Sequence, residues 1–173
     1  MVELIFFIIM MSLYLTPLYL ANSLACVFGG KTPIDANKKW NKLPLLGKGK
    51  TWRGAFSGIF FGSLSGIILW LVLGQEIQAM LGVNYLLFAF MISAGAIIGD
   101  LAGSFIKRRF NVARGKPVLF LDQLDFIVGG LIFTLPLRIP LIEEIIFIVV
   151  VSLIAHKLGN LIAFITKLKK VPW

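Results

Sequence analysis

Three aspartates carry the chemistry open to this sequence. Asp100 falls inside an apolar stretch, about two helical turns before a basic cluster. A carboxylate within a membrane span is costly, so by default it marks a functional site. Asp100, Ser104 and Lys107 stand at i, i+4 and i+7 and share one helical face. Asp122 and Asp125 are spaced i, i+3 at the start of a later apolar stretch. Each has a structural alternative. Asp100 could form a tethering salt bridge to a lysine, and the later pair could simply favour a helix N-terminus.

Three carboxylates at one membrane boundary make an oxygen-only donor set suited to Mg²⁺, which takes one or two carboxylates together with water and substrate phosphates. Zinc chemistry is disfavoured, because His156 is the only histidine and Cys26 the only cysteine. One cysteine also excludes an intrachain disulfide.

Cations surround these acids. Lys107, Arg108, Arg109 and Arg114 follow Asp100, and Lys48, Lys50 and Arg53 lie in the glycine-rich run GKGKTWRG at Gly47–Gly54. The run is not a P-loop, since G-x-x-x-x-G-K-[ST] is absent. It still joins flexible backbone amides to cations, which suits polyphosphate. For Lys38, Lys39 and Lys42, a solvated loop near anionic lipid explains the charge equally well. Asn22 and Ser23, and His156 with Asn160 at i+4, place polar groups near the ends of apolar stretches, for substrate contact or for interhelical hydrogen bonds.

No Ser-His-Asp or Cys-His arrangement is evident. Phosphoryl or nucleotidyl transfer does not need one, because a phosphate monoester, with a second pKa of about 6, is already an anion at neutral pH. Positioning and charge neutralisation then supply the catalysis.

The elements that must hold these residues are membrane helices. Of 173 residues, 58% are hydrophobic and only 14% charged, against about 45–50% and about a quarter in soluble domains. The mean hydropathy is +0.92. One domain covers 1–173, and its surplus apolar surface faces lipid. The net charge of +9 is read as attraction to anionic headgroups and phosphate-bearing substrates, not to nucleic acid.

Spanning the hydrocarbon core takes about 20 apolar residues. Five stretches qualify: Leu4–Phe28, Gly54–Leu73, Tyr85–Ile106, Val118–Leu135 and Ile142–Thr166. The predicted fold is therefore all-α, with about five transmembrane helices. The first is read as a retained helix, because Met1–Ala25 has no basic region before its apolar run. The fourth carries Asp122 and Asp125 in its first turns, so it is expected to enter the membrane from a protein-lined cavity.

Sixteen of the seventeen Lys and Arg residues fall on one side of these spans, in the loops 29–53 and 107–117 and toward the C-terminus; Arg138 alone falls on the other. The positive-inside rule puts the N-terminus outside and the C-terminus in the cytoplasm of a cell-membrane protein. All four aspartates lie on the basic side and all four glutamates on the other, where Glu143 and Glu144 read as decoration of outer helix ends. Gly54, Gly58, Gly62 and Gly66 form one four-residue stripe, and Gly95, Gly99 and Gly103 another. Such stripes let backbones approach closely, so the second and third spans are expected to pack on each other. Gly99 and Gly103 could also make room for substrate beside Asp100.

The run GDLAGSFIKRR at Gly99–Arg109, followed by Asp122-Gln123-Leu124-Asp125, resembles the signature region of the CTP:phosphatidate cytidylyltransferases. Asp100, Ser104, Lys107, Arg108, Asp122 and Asp125 fall on that family's pattern of a G-D, a serine, a K-R pair and a later acidic pair. The P-G-H-G-G insert of bacterial members is absent, and the chain is shorter. These departures point to the archaeal branch, the CDP-archaeol synthases, which the chain resembles along nearly its full length. The supporting stretches are Ala21-Asn22, Gly29–Asp35, Gly47–Gly54, Gly99–Arg109, Asp122–Phe126, His156 with Asn160, and Lys169–Trp173.

The resemblance implies an Mg²⁺-dependent transfer of CMP from CTP to a geranylgeranyl ether-lipid phosphate, with release of pyrophosphate. Asp100, Asp122 and Asp125 are then the expected metal ligands, directly or through water. Lys50, Arg53, Lys107, Arg108 and Arg114 are the expected phosphate contacts, and Asn22, Ser104 and Asn160 would orient substrate. The lipid tails would stay in the bilayer and enter between helices. Membrane lipids and a second copy of the chain are the remaining candidate partners. Rival readings are a small transporter or channel subunit, a CDP-alcohol phosphotransferase, whose D-x-x-D-G pattern fails here at Phe126, and a non-enzymatic anionic-lipid binder.

Overall fold

The computed structural model describes residues 1–113, 116, 118 and 120–165, apart from the side chains at 156, 159, 160, 162 and 163. Six helices follow one another: α1 (Val2–Val27), α2 (Trp52–Leu73), α3 (Gln75–Leu81), α4 (Tyr85–Arg109), α5 (Leu121–Thr134) and α6 (Ile142–Ile165). Among the described residues, three of them, α1, α2 and α4, are long and apolar enough to cross a membrane. At 1.5 Å per residue α5 is only about 21 Å long, short of the roughly 30 Å hydrocarbon core. Its start lies against protein, as its two aspartates require. The short α3 and a small hairpin, β1 (Lys39–Trp40) with β2 (Leu43–Pro44), were not foreseen.

Helix α1 packs against α2 and α4 and, more lightly, touches α3, α5 and α6. Pro17 sits inside it, and a proline has no N–H for the carbonyl four residues back. That carbonyl, on Leu13, accepts a hydrogen bond from the buried Tyr85 hydroxyl at 2.8 Å. The gap left by Pro17 thus becomes a tie between α1 and α4, which lipid could not supply. Tyr14, Leu18, Phe88, Ile92, Phe126, Ile127 and Ile148 fill the surrounding core.

The two glycine stripes do different work from that expected. The second and third spans do pack together, as α2 on α4. The α2 stripe, however, meets α1 as well as α4: a Cβ at Gly58 would strike Ala21 and Ile97, and one at Gly62 would strike Pro17 and Ser93. The α4 stripe turns to α5 instead. A Cβ on Gly99 would collide with the Asp125 carbonyl and Gly129, and one on Gly129 with Gly95 and Gly99. The antiparallel α4–α5 seam is thus as close as two backbones come.

At the acid-rich end, Glu144 is not decoration. It is 1% exposed, and its carboxylate accepts from Arg138 at 2.8 and 2.5 Å and from the Leu141 N–H at 2.9 Å. A buried carboxylate needs such partners. This one fixes the turn from α5 into α6.

At the basic end, Asp35 organises the first loop. Its carboxylate accepts from the backbone N–H groups of Asn37 (3.0 Å), Leu46 (2.9 Å) and Gly47 (2.9 Å). Arg109 clamps the hairpin onto α4. It donates to the carbonyls of Trp40 and Pro44 at 2.9 and 2.5 Å, and its guanidinium lies over the Trp40 and Phe105 rings. Arg109, grouped by sequence with the candidate phosphate contacts, is a structural residue.

Candidate functional site

The site forms where the first loop, the end of α4 and the start of α5 meet. The chain 32–34 runs along 50–52: Ile34 N–H donates to the Lys50 carbonyl (2.9 Å) and Trp52 N–H to the Thr32 carbonyl (3.2 Å). Thr51 caps α2, its hydroxyl accepting from Gly54 N–H (3.2 Å) and Gly30 N–H (3.0 Å). Lys50 is thereby held rigidly, and its ammonium donates to both carboxylate oxygens of Asp100, at 2.6 and 2.5 Å. Both side chains are about one-fifth exposed. They line a small cavity of about 50 Å³ with Gly29, Gly49, Thr51 and Gly54, space for a water or a small cation.

The α4–α5 seam sets the other acids. Next to the Gly99–Gly129 contact, the Asp125 carboxylate lies against Gly103, where a Cβ would displace it. Its Oδ1 accepts from the Phe126 N–H at 2.7 Å. Asp125 is within electrostatic range of Asp100, Lys107 and Lys50. One turn further toward the basic end, Lys107 donates to Asp122, whose second oxygen accepts from the Val118 N–H at 2.9 Å. The spacing Asp100–Gly103–Lys107 on α4 therefore faces Asp125 and Asp122 on α5.

The three aspartates lie along this one end of the fold but do not converge on a single point. Among the described residues, no three of His, Cys, Asp and Glu form a group that could hold a metal ion. The lysine tether weighed as the alternative for Asp100 is present. The chemistry of the donors still fits magnesium, because Asp100 and Asp125 act in one another's field and Mg²⁺ completes its shell with water and substrate phosphate oxygens.

The remaining candidates are distributed around this centre. Ser104 is buried in α4, one turn beyond Asp100. Asn22 is half-buried on α1, one turn before Cys26, which lines the Asp100 cavity. Arg53 is exposed and lines a second opening of about 640 Å³ with Lys31, Thr32 and Trp52. Arg108 turns away from the aspartates and toward Gly47. Arg114 lies outside the described residues, as do the side chains of His156 and Asn160.

Sequence reasoning missed an apolar groove beside the acids. A groove of about 630 Å³ runs along the α4–α5 seam, lined by Ile98, Ala102, Ile106, Leu124, Val128 and Phe133, with Asp125 the single charged residue in its lining among the described residues. Gly129, unremarked in the sequence, was the available signal: it packs on Gly99 and lines the groove with Gly99 and Gly103.

A family model described as CarS-like CDP-archaeol synthase matches residues 1–173. CDP-archaeol synthase of Pyrococcus abyssi is 46% identical over 162 residues, covering 92% of this chain and 95% of that protein. CDP-archaeol synthase of Methanocaldococcus jannaschii is 42% identical over 166 residues, with 92% and 94% coverage. A solved structure described as an intramembrane enzyme for archaeal membrane lipids biosynthesis superimposes with a TM-score of 0.78 at 31% identity, covering 86% of this chain and 91% of the other. With its acids at the mouth of an apolar seam and its likeness to these relatives running from end to end, this chain belongs to the CDP-archaeol synthase family.

Proposed function

We propose that this protein transfers CMP from CTP to an unsaturated archaeal ether-lipid phosphate, giving CDP-archaeol and pyrophosphate. The observation that carries the reading is the position of Asp125. Among the described residues it is the only charge in the lining of an apolar groove, and it lies within electrostatic range of Asp100, Lys50 and Lys107. An isoprenoid chain lying in that groove brings its phosphate to the acids and lysines, where a nucleotide can reach it from the water side.

In the reaction an oxygen of the lipid phosphate attacks the α-phosphorus of CTP. The α–β phosphoanhydride bond breaks, and pyrophosphate leaves with the electron pair. No side-chain nucleophile is needed. Lys50 and Lys107 present ammonium groups that neutralise phosphate charge, and Arg53, Arg108 and Arg114 supply further contacts. Asn22, Ser104 and Asn160 orient the substrates. Asp100, Asp122 and Asp125 would hold magnesium, which when bound would polarise the phosphates and neutralise the charge of the leaving group. The lysine partners of Asp100 and Asp122 keep the carboxylates neutralised between turnovers and pass to phosphate oxygens when the triphosphate arrives.

The same reading gives five membrane passes, with α5 the shortest, the N-terminus outside and the basic end in the cytoplasm. The test is one incubation of the purified protein with labelled CTP, Mg²⁺ and a panel of lipid phosphates. Label is expected in the geranylgeranyl ether-lipid phosphate. Absence of label from every lipid phosphate, with the protein folded, overturns the assignment.

A further inference from the structure

The opening of about 640 Å³ beside Arg53 lies where two membrane-spanning helices reach the basic end of the fold. Gly29 and Gly30, just past the end of α1, form one wall. Trp52 and Arg53, at the start of α2, form the other, and Lys31 and Thr32 complete the lining. Among the described residues that lining contains no acid, and neither the Lys31 nor the Arg53 side chain has a hydrogen bond or ion pair. Arg53 borders this opening and not the Asp100 cavity.

An apolar track continues from the opening along one face of α2. Trp52, Phe56 and Phe60 stand at i, i+4 and i+8, and all three are exposed. The Trp52 and Phe56 rings stack, with centroids 5.8 Å apart. Phe56 and Phe60 then line a groove of about 370 Å³ with Ile59, Leu64, Ile67 and Phe90. From Phe56 to Ile67 the helix rises about 16 Å, close to half of the roughly 30 Å hydrocarbon core and so to the depth of one leaflet. Among the described residues this groove has no charge in its lining and shares no residue with the α4–α5 groove.

Two unpaired cations, an aromatic step and an apolar groove one leaflet deep follow the profile of a phospholipid from headgroup to chain. Tryptophan favours the headgroup level, and cations there attract anionic lipid. A soluble anion would leave the rings and the groove unused. An uncharged lipid would leave both cations unpaired.

We propose that the opening and the α2 groove together bind one anionic phospholipid of the surrounding membrane, distinct from the substrate. Its phosphate lies between Lys31 and Arg53, so the phosphate contact given to Arg53 above is made here. One chain follows Trp52 and Phe56 into the groove. The headgroup also bears on the acids. Trp52 N–H donates to the Thr32 carbonyl and Ile34 N–H to the Lys50 carbonyl, and residues from both sides of this pairing line the opening. A phosphate held by Lys31 and Arg53 braces the pairing that sets Lys50 on Asp100.

The experiment titrates diphytanyl phosphatidylglycerol and diphytanyl phosphatidylcholine into the purified protein in detergent, with native mass spectrometry counting the lipids bound. Neither lipid carries the phosphate monoester that the transfer uses. One phosphatidylglycerol per chain is expected, held at least about fivefold more tightly than phosphatidylcholine. Equal binding of the two overturns the proposal. Lys31→Gln should weaken phosphatidylglycerol about fivefold, and an unchanged affinity overturns the proposal. Phe60→Ala should weaken both lipids several-fold, whereas Val72→Ala, exposed on α2 outside the groove, should weaken neither. Equal effects of these two variants overturn the placement of the chain. Glycerol phosphate has the charge without a chain and should not displace the lipid. Displacement at matched concentration would make this a site for free phosphate and overturn the lipid assignment. Hydrogen exchange at Ile34 and Trp52 should slow several-fold when phosphatidylglycerol binds, and no change there overturns the placement of the headgroup. All of these are binding measurements, so they decide the proposal even if the protein transfers CMP to no lipid phosphate.

Discussion

Lys50 reaches across from the first loop and holds Asp100 by both carboxylate oxygens, at 2.6 and 2.5 Å. Two residues fifty positions apart are joined because Thr51 caps α2 and the chain around Ile34 pairs with Lys50. Asp100→Asn keeps the shape but removes the charge that both Lys50 and a metal ion would use. CMP transfer should fall at least about 100-fold, with the thermal transition shifted by no more than a few degrees. Lys38→Ala, on an exposed loop position away from these acids, should change the rate less than twofold. Steady-state transfer assays on both variants separate the two cases.

Asp122 is tied differently, by Lys107 and by the Val118 N–H. Asp122→Asn should abolish turnover while the helices remain folded, because Lys107 loses its counter-charge at the point where phosphates must bind. Near-normal transfer by a folded Asp122→Asn protein, as judged by circular dichroism and gel filtration, would refute a role for this side chain in the reaction.

Asp35 gives the loop a pH dependence. Burial alone would raise the pKa of its carboxyl. The N–H groups of Gly47, Leu46 and Asn37 outweigh burial and hold it below the ordinary carboxylate value. The folded loop thus binds fewer protons than the unfolded chain near pH 4. The stabilisation is complete above the unfolded pKa, about 3.9, and is lost as pH falls through the lower native value. Hydrogen exchange at Leu46 and Gly47 should stay slow from neutral pH down to about 4 and accelerate below it, after correction for intrinsic rates. Asp35→Asn should accelerate exchange at all pH values.

Much of this was legible in the residues because membrane helices obey simple rules. The five apolar stretches correspond to α1, α2, α4, α5 and α6 within a few residues, since length and apolarity decide such helices almost alone. Asp100, Lys107, Asp122 and Asp125 stood out because charge near lipid is rare. Partners were not legible. Nothing in the spacing says that Lys50 rather than Lys107 meets Asp100, that Arg109 holds a hairpin, or that Glu144 is buried against Arg138. Those pairings join positions far apart in sequence or depend on a turn of particular shape. The α4 glycine stripe was visible, but its partner, Gly129, lay in a helix whose two aspartates drew attention away from it.

That glycine contact supports a prediction of its own. A Cβ at Gly129 would meet the Gly95 carbonyl and the Gly99 backbone, neither of which is a movable side chain. Gly129→Ala should force α4 and α5 apart, at a stability cost of about 1–3 kcal/mol, and should displace Asp125 from Gly103 and Asp122 from Lys107. Transfer should therefore fall much further than stability does. Thermal unfolding in detergent, read beside the transfer rate, tests this. Gly82→Ala is a poor control because Gly82 has a φ of +69°. A half-buried helical position such as Ser57→Ala, whose hydroxyl donates to the Gly54 carbonyl of its own helix, serves better.

Val128 distinguishes the lipid path from the nucleotide path. Its side chain is about half exposed and lines the groove one turn from Asp125. Val128→Trp adds bulk on the lipid-facing side without touching the glycine seam or the acids. If isoprenoid chains lie in this groove, the KM for the ether-lipid phosphate should rise about tenfold or more. The KM for CTP should be unchanged, because the nucleotide approaches from the loop side, where Lys48, Lys50 and Arg108 stand. A lipid phosphate with much shorter chains should escape the penalty, since it does not extend to the tryptophan. Equal inhibition of long- and short-chain substrates would mean that the substitution distorts the seam rather than blocking a tail. Transfer assays across a chain-length series, with CTP held saturating, decide between a groove that carries substrate and one that only faces bulk lipid.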